Sequence, residues 1–296
     1  MSEISPAKIS YNTSDLAFKP LDLAGVNTLV DWAASEGWNP GLSDAELFYA
    51  ADPNGFYGCF IGNELVAGGS VVSYGGEFGF MGLFIVKPEF RGAGIGAQLW
   101  HFRKNHLLSR LKTKAAIGMD GVVAMQPFYN QGGFDIHFRD ERYQRMGEIY
   151  ETNPNVSAVN HEDLESILEY DRACFGVDRP DFLLPWIKQP YGNALKYCQN
   201  QQLKGFAVIR KCQTGFKVGP LFADDEDVAE ALFKQCLTIA SGAVVFIDIP
   251  LINDSAVRLV KKFQAEYVFE CARMYLGTPP NTTISKVFGI TSFELG

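Results

Sequence analysis

The residues with the clearest chemical potential are Arg91-Gly92-Ala93-Gly94-Ile95-Gly96, an arginine followed by three alternating glycines. Glycine has no Cβ, so backbone amides in this run can turn toward one point and can be approached closely. Ile95, Leu99 and Phe102 recur at helical spacing, which predicts a helix that begins within the run. The amides and the dipole at a helix N-terminus favour an anion, and Arg91 adds a cation beside them. This arrangement predicts a binding site for a pyrophosphate group.

Other phosphate-binding loops fit this segment less well. A P-loop ends in Gly-Lys-Ser/Thr, whereas this loop continues as Gly96-Ala97-Gln98. A Rossmann turn has the spacing G-x-G-x-x-G directly after a parallel strand. Here the spacing is G-x-G-x-G, and the preceding strand follows the hairpin signature Ser73-Tyr-Gly-Gly-Glu77. A glycine-rich turn without a ligand is the remaining alternative, but it would cost chain entropy for no gain in close approach.

The elements that must position this loop can be predicted from the sequence around it. Residues 56–61 and 65–72 form a predicted hairpin, and the following strand, residues 77–86, ends before Pro88, which cannot donate to a sheet ladder. Three antiparallel strands thus precede the phosphate-binding helix. The other predicted elements of this half are a strand at 7–13, helices at 22–38 and 42–51, and a strand at 114–120.

The segment Val86-x-Pro88-x-x-Arg91-Gly92-x-Gly94-x-Gly96 resembles motif A of the GNAT superfamily, the Gcn5-related N-acetyltransferases. In that family the amides of this loop hold the pyrophosphate of acetyl-coenzyme A. The resemblance implies acetyl-CoA as cosubstrate, without a metal. It also implies that the amides of a strand just before the loop hold the thioester. The implied cofactor-binding residues are Phe84, Ile85, Val86, Arg91, Gly92, Ala93, Gly94, Ile95 and Gly96.

A second motif, Tyr129-x-x-x-Gly133-Phe134, resembles motif B of the same family. In many members the hydroxyl of this tyrosine stands near the thioester sulfur. The departing thiolate of coenzyme A needs a proton or a strong donor, and a phenol supplies one at neutral pH. The resemblance therefore implies that Tyr129 is the general acid, whereas a packed tyrosine is the structural alternative.

The general base is not evident from the sequence. Many family members carry a glutamate in the central strand, but here that strand reads Phe78-Gly-Phe-Met-Gly-Leu-Phe and is apolar. Glu77 at its start and Asp120 at the end of the next strand are the candidates. An aspartate in such a place is as often a turn former. The acceptor's own solution equilibrium is a further alternative.

The second half of the chain repeats the order of elements found in the first half. After a polar, turn-rich segment at 151–157, helices are predicted at 162–175 and 182–187, strands at 203–210 and 216–222, a helix at 227–241, a strand at 244–249, a helix at 255–263, and strands at 274–277 and 287–293. Where the glycine loop belongs, the copy has Asp224-Asp225-Glu226-Asp227, whose charges would repel a pyrophosphate. We therefore expect this half to bind no coenzyme A.

The sequence thus predicts an α/β (α+β) fold resembling tandem GNAT proteins. A GNAT acetyltransferase domain is expected at residues 1–150 and a divergent GNAT-like domain at residues 151–296, each with a mixed, mostly antiparallel twisted sheet flanked by helices. The second domain would shape the acceptor site or the cleft between the domains. Arg172, Arg179 and Asp248 are candidates for polar contacts there. The aromatic residues Trp32, Trp38, Phe48 and Tyr49 could line the acceptor pocket, with core packing as the alternative for each.

Composition excludes several other classes of protein. The net charge is −8 and the basic residues form no stripe along the sequence, so no nucleic-acid partner is expected. No run of about 18 apolar residues is present, so no membrane span is expected. The six cysteines lack C-x-x-C spacing and no apolar leader is evident, which favours reduced thiols in the cytoplasm. The four histidines form no metal-ligand pattern. A monomer or homodimer is compatible with these features.

The predicted function is acyl-CoA-dependent N-acyl transfer, with acetyl passing from acetyl-CoA to a primary amine by direct attack. The acceptor would be a small-molecule or peptide amine. The alternative is a non-enzymatic acyl-CoA sensor, in which ligand binding sets the orientation of the domains. Tyr129 favours the enzyme, and the lack of an evident base slightly favours the sensor.

Overall fold

The computed structural model describes residues 15–296, so the strand predicted at 7–13 lies outside the described residues. The helices are α1 (Leu23–Ser35), α2 (Asp44–Ala51), α3 (Ile95–Arg110), α4 (Gln126–Gln131), α5 (Leu164–Phe175), α6 (Pro180–Ile187), α7 (Glu226–Ile239) and α8 (Asp254–Lys262). The strands of the first half are β1 (Leu16–Pro20), β2 (Phe56–Ile61), β3 (Glu64–Tyr74), β4 (Phe78–Val86), β5 (Ala116–Val122) and β6 (Asp135–Met146). The strands of the second half are β7 (Val156–Ala158), β8 (Gly192–Gln199), β9 (Gln202–Lys211), β10 (Phe216–Ala223), β11 (Val244–Pro250), β12 (Glu266–Leu276) and β13 (Val287–Gly289).

All these strands join one mixed sheet flanked by helices, which confirms the predicted fold class. The order is β1-β2-β3-β4-β5-β12-β6-β11-β10-β9-β8-β7, with β13 added beside β10. Pairing is antiparallel except between β4 and β5 and between β10 and β11. Read from its own outer edge to the centre, each half-sheet therefore has the same order of strands: β1-β2-β3-β4-β5-β12 in one and β7-β8-β9-β10-β11-β6 in the other.

The two halves exchange their last strands at the centre of the sheet. β12 of the second half pairs with β5 of the first, whereas β6 of the first half pairs with β11 of the second. β6 and β12 then pair with each other. The boundary at residue 150 divides the repeat along the sequence, but each half-sheet in space contains one strand from the other side of that boundary. Neither β6 nor the first part of β12 was predicted as a strand.

β6 was missed because its sequence, DIHFRDERYQRM, is unusually charged for a central strand. Asp140 and Arg142 are nevertheless 0% and 2% exposed. Asp248 of β11 forms a bidentate ion pair with Arg142, at 2.6 and 2.7 Å, which compensates the burial of both charges. β6 lies at the interface between the two half-sheets. Its charged side chains can be buried there because a neighbouring strand supplies a partner, as Asp248 does for Arg142.

A β-bulge in β4 separates this strand from β5. The ladder to β3 shifts register between the pairs Gly68–Ile85 and Ser70–Gly82, and Leu83 has a φ of 47°. β4 pairs with β5 only from Phe78 to Phe80. Beyond that point, the edge of β4 that faces β5 is open.

The second half has the same split between β10 and β11, but the chain itself fills it. The β10 ladder to β9 shifts register between Val218 and Leu221. β13 pairs with β10, and a Cβ at Gly289 would lie 3.2 Å from both Leu221 and Ile247, one on each side of the split. The segment after β13, residues 290–296, then runs to the first half and is mostly buried there.

Candidate functional site

A cavity of about 590 Å³ opens along the free edge of β4. It extends from the glycine loop to the junction of the two half-sheets, so one continuous space joins the predicted pyrophosphate site to groups contributed by the second half. The lining residues from the loop and β4 include Gly82, Leu83, Phe84, Ile85, Val86, Arg91, Gly92, Gly94 and Gly96. Those from elsewhere include Glu36, Trp38, Asp120, Tyr129, Arg142, Phe269, Cys271, Phe293 and Glu294.

The glycine loop ends at the N-terminus of α3, as the sequence predicts. Gly92 and Gly94 have φ values of 75° and 84°, a region that side chains with a Cβ rarely adopt. Gly94 is the N-cap residue; no side chain caps this helix, and its first turn carries no acidic residue. The N-terminal amides and the positive end of the dipole therefore face the cavity without a built-in anion. Ala93 and Ile95 lie in the same turn.

Arg91 stands at the mouth of the cavity, about half exposed. Its Nε donates to the Val86 carbonyl oxygen at 2.8 Å, which ties the loop to the end of β4. Its Nη2 pairs with Glu36, so the cation is held in place from α1 as well. An arriving phosphate would compete with this exposed carboxylate for the guanidinium.

A buried arginine donates hydrogen bonds to the backbone at the bulge of β4. Arg103 of α3 is fully buried, and its Nη2 donates to the carbonyl oxygens of Ser70 and of Gly82, the latter at 2.8 Å. The guanidinium lies 5.1 Å from the Phe84 ring centre, and burial lowers its pKa to about 9. No carboxylate among the described residues pairs with it. α3 thus places a positive charge without a paired carboxylate against the carbonyl oxygen of Gly82 in β4.

Tyr129 of α4 lies on the wall of the same cavity. Its ring packs on Trp100, with ring centres 5.0 Å apart, and the residue is 5% exposed. Burial raises the Tyr129 pKa to about 12, and the Arg103 charge opposes that rise. The hydroxyl therefore keeps its proton at neutral pH and can donate it or a hydrogen bond.

The two candidate bases lie in very different places. Asp120 lines the cavity, but both its oxygens accept from Arg273 of β12, at 2.7 and 2.9 Å, and burial raises its pKa to about 6. Glu77 lies at the opposite end of β4, where its exposed carboxylate pairs with Lys112. The structure therefore brings Asp120 to the site and leaves Glu77 outside it. The cavity lies along the C-terminal part of β4, whereas Glu77 immediately precedes the N-terminus of that strand.

Sequence reasoning missed the residues that the second half contributes to the cavity. Phe269 and Cys271 come from β12, and Phe293 and Glu294 come from the segment after β13. The Glu294 carboxylate is buried, and its Oε2 has no hydrogen-bond partner. Nothing in the local sequence marks these residues, since the exchange of β12 brings Phe269 and Cys271 to the first half and the segment after β13 brings Phe293 and Glu294.

Of the three residues predicted to make polar contacts between the halves, Asp248 does so, because it pairs with Arg142. Arg179 instead bonds within the second half: it forms a bidentate ion pair with Asp171 and donates to the Gly296 carbonyl oxygen at 2.8 Å, thereby anchoring the end of the chain. Arg172 is instead exposed, 3.6 Å from Asp178.

The position in the second half that corresponds to the glycine loop is closed. Asp225 is the N-cap of α7, and its Oδ1 accepts from the Val228 amide at 3.0 Å. Asp224 accepts from Tyr170 and from Lys286. The acidic run thus satisfies its own helix end, and β13 occupies the adjacent split between the strands.

Two features are absent from residues 15–296. No group of three or more histidine, cysteine, aspartate or glutamate side chains there is arranged to hold a metal ion. Within the same residues, no helix has the length and apolar character needed to cross a membrane.

Family models match both halves of the chain. Residues 23–134 match the model described as "Acetyltransferase (GNAT) family", and residues 167–289 match the one described as "Acetyltransferase (GNAT) domain". The chain is 29% identical over 280 residues to holothin acyltransferase of Pseudoalteromonas sp. (strain SANK 73390), covering 94% of each chain. It is 24% identical over 232 residues to the uncharacterized N-acetyltransferase YitH of Bacillus subtilis (strain 168), covering 76% of this chain and 79% of that protein.

Solved structures show the same fold over nearly the whole chain. A putative acetyltransferase from Pyrococcus horikoshii superposes with a TM-score of 0.82 at 22% identity, covering 97% of this chain and 98% of that one. A tandem GNAT protein from the clavulanic acid biosynthesis pathway superposes with a TM-score of 0.63 at 12% identity, covering 88% of this chain and 98% of that one.

Proposed function

The chain belongs to the GNAT superfamily of acyl-transferring enzymes and contains two GNAT domains in tandem, and on that premise we propose that it is an acyl-CoA-dependent N-acyltransferase. The observation that carries the proposal is the continuous cavity from the uncapped N-terminus of α3 to Tyr129. We further propose acetyl as the acyl group and a primary amine as the acceptor. The acyl donor and the acceptor would share this cavity, so proximity would supply much of the acceleration.

The residues present fit the groups of an acyl-CoA cosubstrate, which supplies an activated thioester. The amides at the start of α3, together with Arg91, would hold the pyrophosphate. The open edge of β4 from Phe84 to Val86 offers backbone donors for the thioester oxygen, and Arg103 stabilises the bulge that exposes them. Tyr129 would donate to the sulfur that departs. No metal takes part in the proposed reaction.

The proposed function is tested by turnover. Full-length protein is incubated with acetyl-CoA and a panel of primary amines, release of free coenzyme A is followed, and the product is identified by mass spectrometry. Amine-dependent release with an acetylated product supports the proposal. Saturable binding of acetyl-CoA without turnover of any amine would support a sensor instead.

The first testable prediction concerns the mouth of the cavity. Arg91→Glu should weaken acetyl-CoA binding at least about tenfold, because a charge-assisted contact of about 1.5–3 kcal/mol is replaced by repulsion. The new carboxylate would also lie beside Glu36. Calorimetry measures the affinity, and Arg172→Glu is the control because it makes the same charge change on an exposed residue outside the cavity. Equal affinity of the Arg91→Glu variant and the wild type would rule out the pyrophosphate site.

The second prediction is a stoichiometry of one acetyl-CoA per chain. The second half should contribute no site, because Asp225 caps α7 and β13 fills the split between β10 and β11. Titration of the full-length protein measures this, and the full chain is required because β6 and β12 are exchanged. The Arg91→Glu variant should then show no second, unaffected site. Two saturable sites in the wild type would contradict the interpretation of the second half.

A further inference from the structure

Hydrogen bonds from both halves of the chain fix the segment after β13. Tyr74 donates from its hydroxyl to the Leu295 carbonyl oxygen at 2.7 Å, and Arg179 holds the Gly296 carbonyl oxygen. A Cβ at Gly82 would overlap the carbonyl oxygen of Glu294, so the bulge residue itself leaves the space in which this segment lies. Glu294 therefore takes its place beside β4 through backbone contacts that do not involve its carboxylate.

Three carboxylates from the described residues line the cavity, and they differ in their hydrogen-bond partners. Glu36 pairs with Arg91, and Asp120 gives both oxygens to Arg273. Glu294 is 4% exposed, and its Oε2 is buried without a hydrogen-bond partner. A buried carboxylate oxygen without a donor is costly unless a donor arrives with a ligand.

Charged groups of several neighbouring strands surround Glu294 without giving its Oε2 a hydrogen bond. The charged groups of neighbouring strands that interact with it are Asp120 of β5, Arg142 of β6, Arg210 of β9 and Lys217 of β10. Arg142 directs its guanidinium to Asp248 and to the Trp38 carbonyl oxygen. Lys217 also donates to the Trp38 carbonyl oxygen, at 3.4 Å. The nearby cations are therefore engaged with other partners and leave the Glu294 Oε2 open to a donor from a ligand.

The walls near Glu294 are aromatic. Trp38, Phe269 and Phe293 line the same cavity, and the rings of Phe269 and Phe293 lie 5.7 Å apart. Such rings bury flat apolar groups, and the two phenylalanine rings offer no hydrogen bonds to a polar chain. A ligand at this end of the cavity must combine an apolar body with one strong hydrogen-bond donor.

We propose that Glu294 binds the acceptor amine and takes its proton, and that the acceptor is a compact primary amine on an aromatic body. This inference rests on the proposed function. The amine nitrogen forms a bond to the thioester carbonyl carbon, and the bond from that carbon to sulfur breaks. One amine proton passes to the Glu294 carboxylate, while the sulfur receives its proton from Tyr129. The second half of the chain thus supplies the base that the apolar β4 lacks.

The test compares Glu294→Gln with Asp140→Asn in the full-length protein, with acetyl-CoA and benzylamine. Asp140 is the matched control, because it is also a buried carboxylate without hydrogen-bond partners but does not line the cavity. Glu294→Gln should lower kcat/KM for benzylamine at least about tenfold at pH 7. Its Kd for acetyl-CoA should stay within about twofold of the wild type, which also shows that the variant folds. Asp140→Asn should keep the wild-type kcat/KM.

A second variant separates a base from a structural counter-ion. Glu294→Asp keeps a carboxylate, and should therefore retain more of the wild-type kcat/KM than Glu294→Gln does. Wild-type kcat/KM in Glu294→Gln, or equal losses in Glu294→Gln and Glu294→Asp, would overturn the assignment. If benzylamine is a poor substrate and polar polyamines such as spermidine are good ones, the proposed acceptor class is wrong. If no amine is turned over by the wild type, the proposed function fails first.

Discussion

Replacing Tyr129 by phenylalanine is expected to lower turnover by about 10²–10⁴-fold while leaving acetyl-CoA affinity nearly unchanged. The substitution removes only the hydroxyl, which would protonate or hydrogen-bond the departing thiolate. The ring that packs on Trp100 is kept, so the wall of the cavity should keep its shape. Turnover is measured by release of free coenzyme A with a saturating amine, and affinity by calorimetry.

A matched control is available in the second half. Tyr197 is similarly buried, and its hydroxyl accepts from Asn155 at 3.0 Å, but it does not line the cavity. Tyr197→Phe should therefore leave turnover unchanged at temperatures where the protein is folded. Wild-type turnover in Tyr129→Phe would reduce Tyr129 to a packing residue and leave the thiolate without an identified donor.

A large effect on stability is expected from Asp140→Asn. Both carboxylate oxygens of Asp140 are buried without partners in β6, and burial, followed by repulsion from Asp120, raises its pKa well above the ordinary value. The folded protein therefore favours the neutral acid. The contribution of neutral Asp140 to the free energy of unfolding is fully present below the unfolded-state pKa of about 3.9. It is lost as pH rises through the folded-state pKa.

The sign of this linkage fixes the result. Asparagine resembles the neutral acid, so the variant and the wild type should be equally stable near pH 4. At pH 7 the variant should be more stable than the wild type, since a proton no longer has to be taken up on folding. Urea unfolding at pH 4, 5.5 and 7 measures the difference. A constant difference across these pH values would contradict the proposed protonation of Asp140.

Asp120→Asn is the control for this prediction and should give the opposite result. Asp120 shares its burial and its neighbours, but it forms the ion pair with Arg273. Removing it leaves a buried guanidinium without its counter-ion, which costs about 3–5 kcal/mol. Comparing the two variants thus distinguishes the effect of a buried carboxylate in an ion pair, Asp120, from that of a buried carboxylate without one, Asp140.

Short-range sequence determined the end of the site at which we propose the pyrophosphate binds. The positive φ values of Gly92 and Gly94 are features of the local backbone, and the helix that follows is encoded by its own apolar spacing. Tyr129 lies close in the chain to the strand that positions it. Such features depend on neighbours within a few residues, and these are visible in one sequence.

Tertiary structure alone decided the acceptor end. β6 is a charged segment that becomes a central strand only because Asp248 compensates Arg142, more than a hundred positions along the chain. The exchange of β6 and β12 carries Phe269 to the first half, and the close approach at Gly82 admits Glu294 beside β4. Glu77 was expected at the site from its position before β4, but the direction of that strand places it at the far end. A pairing between distant strands is selected by the total of their contacts, so no local pattern in the sequence specifies it.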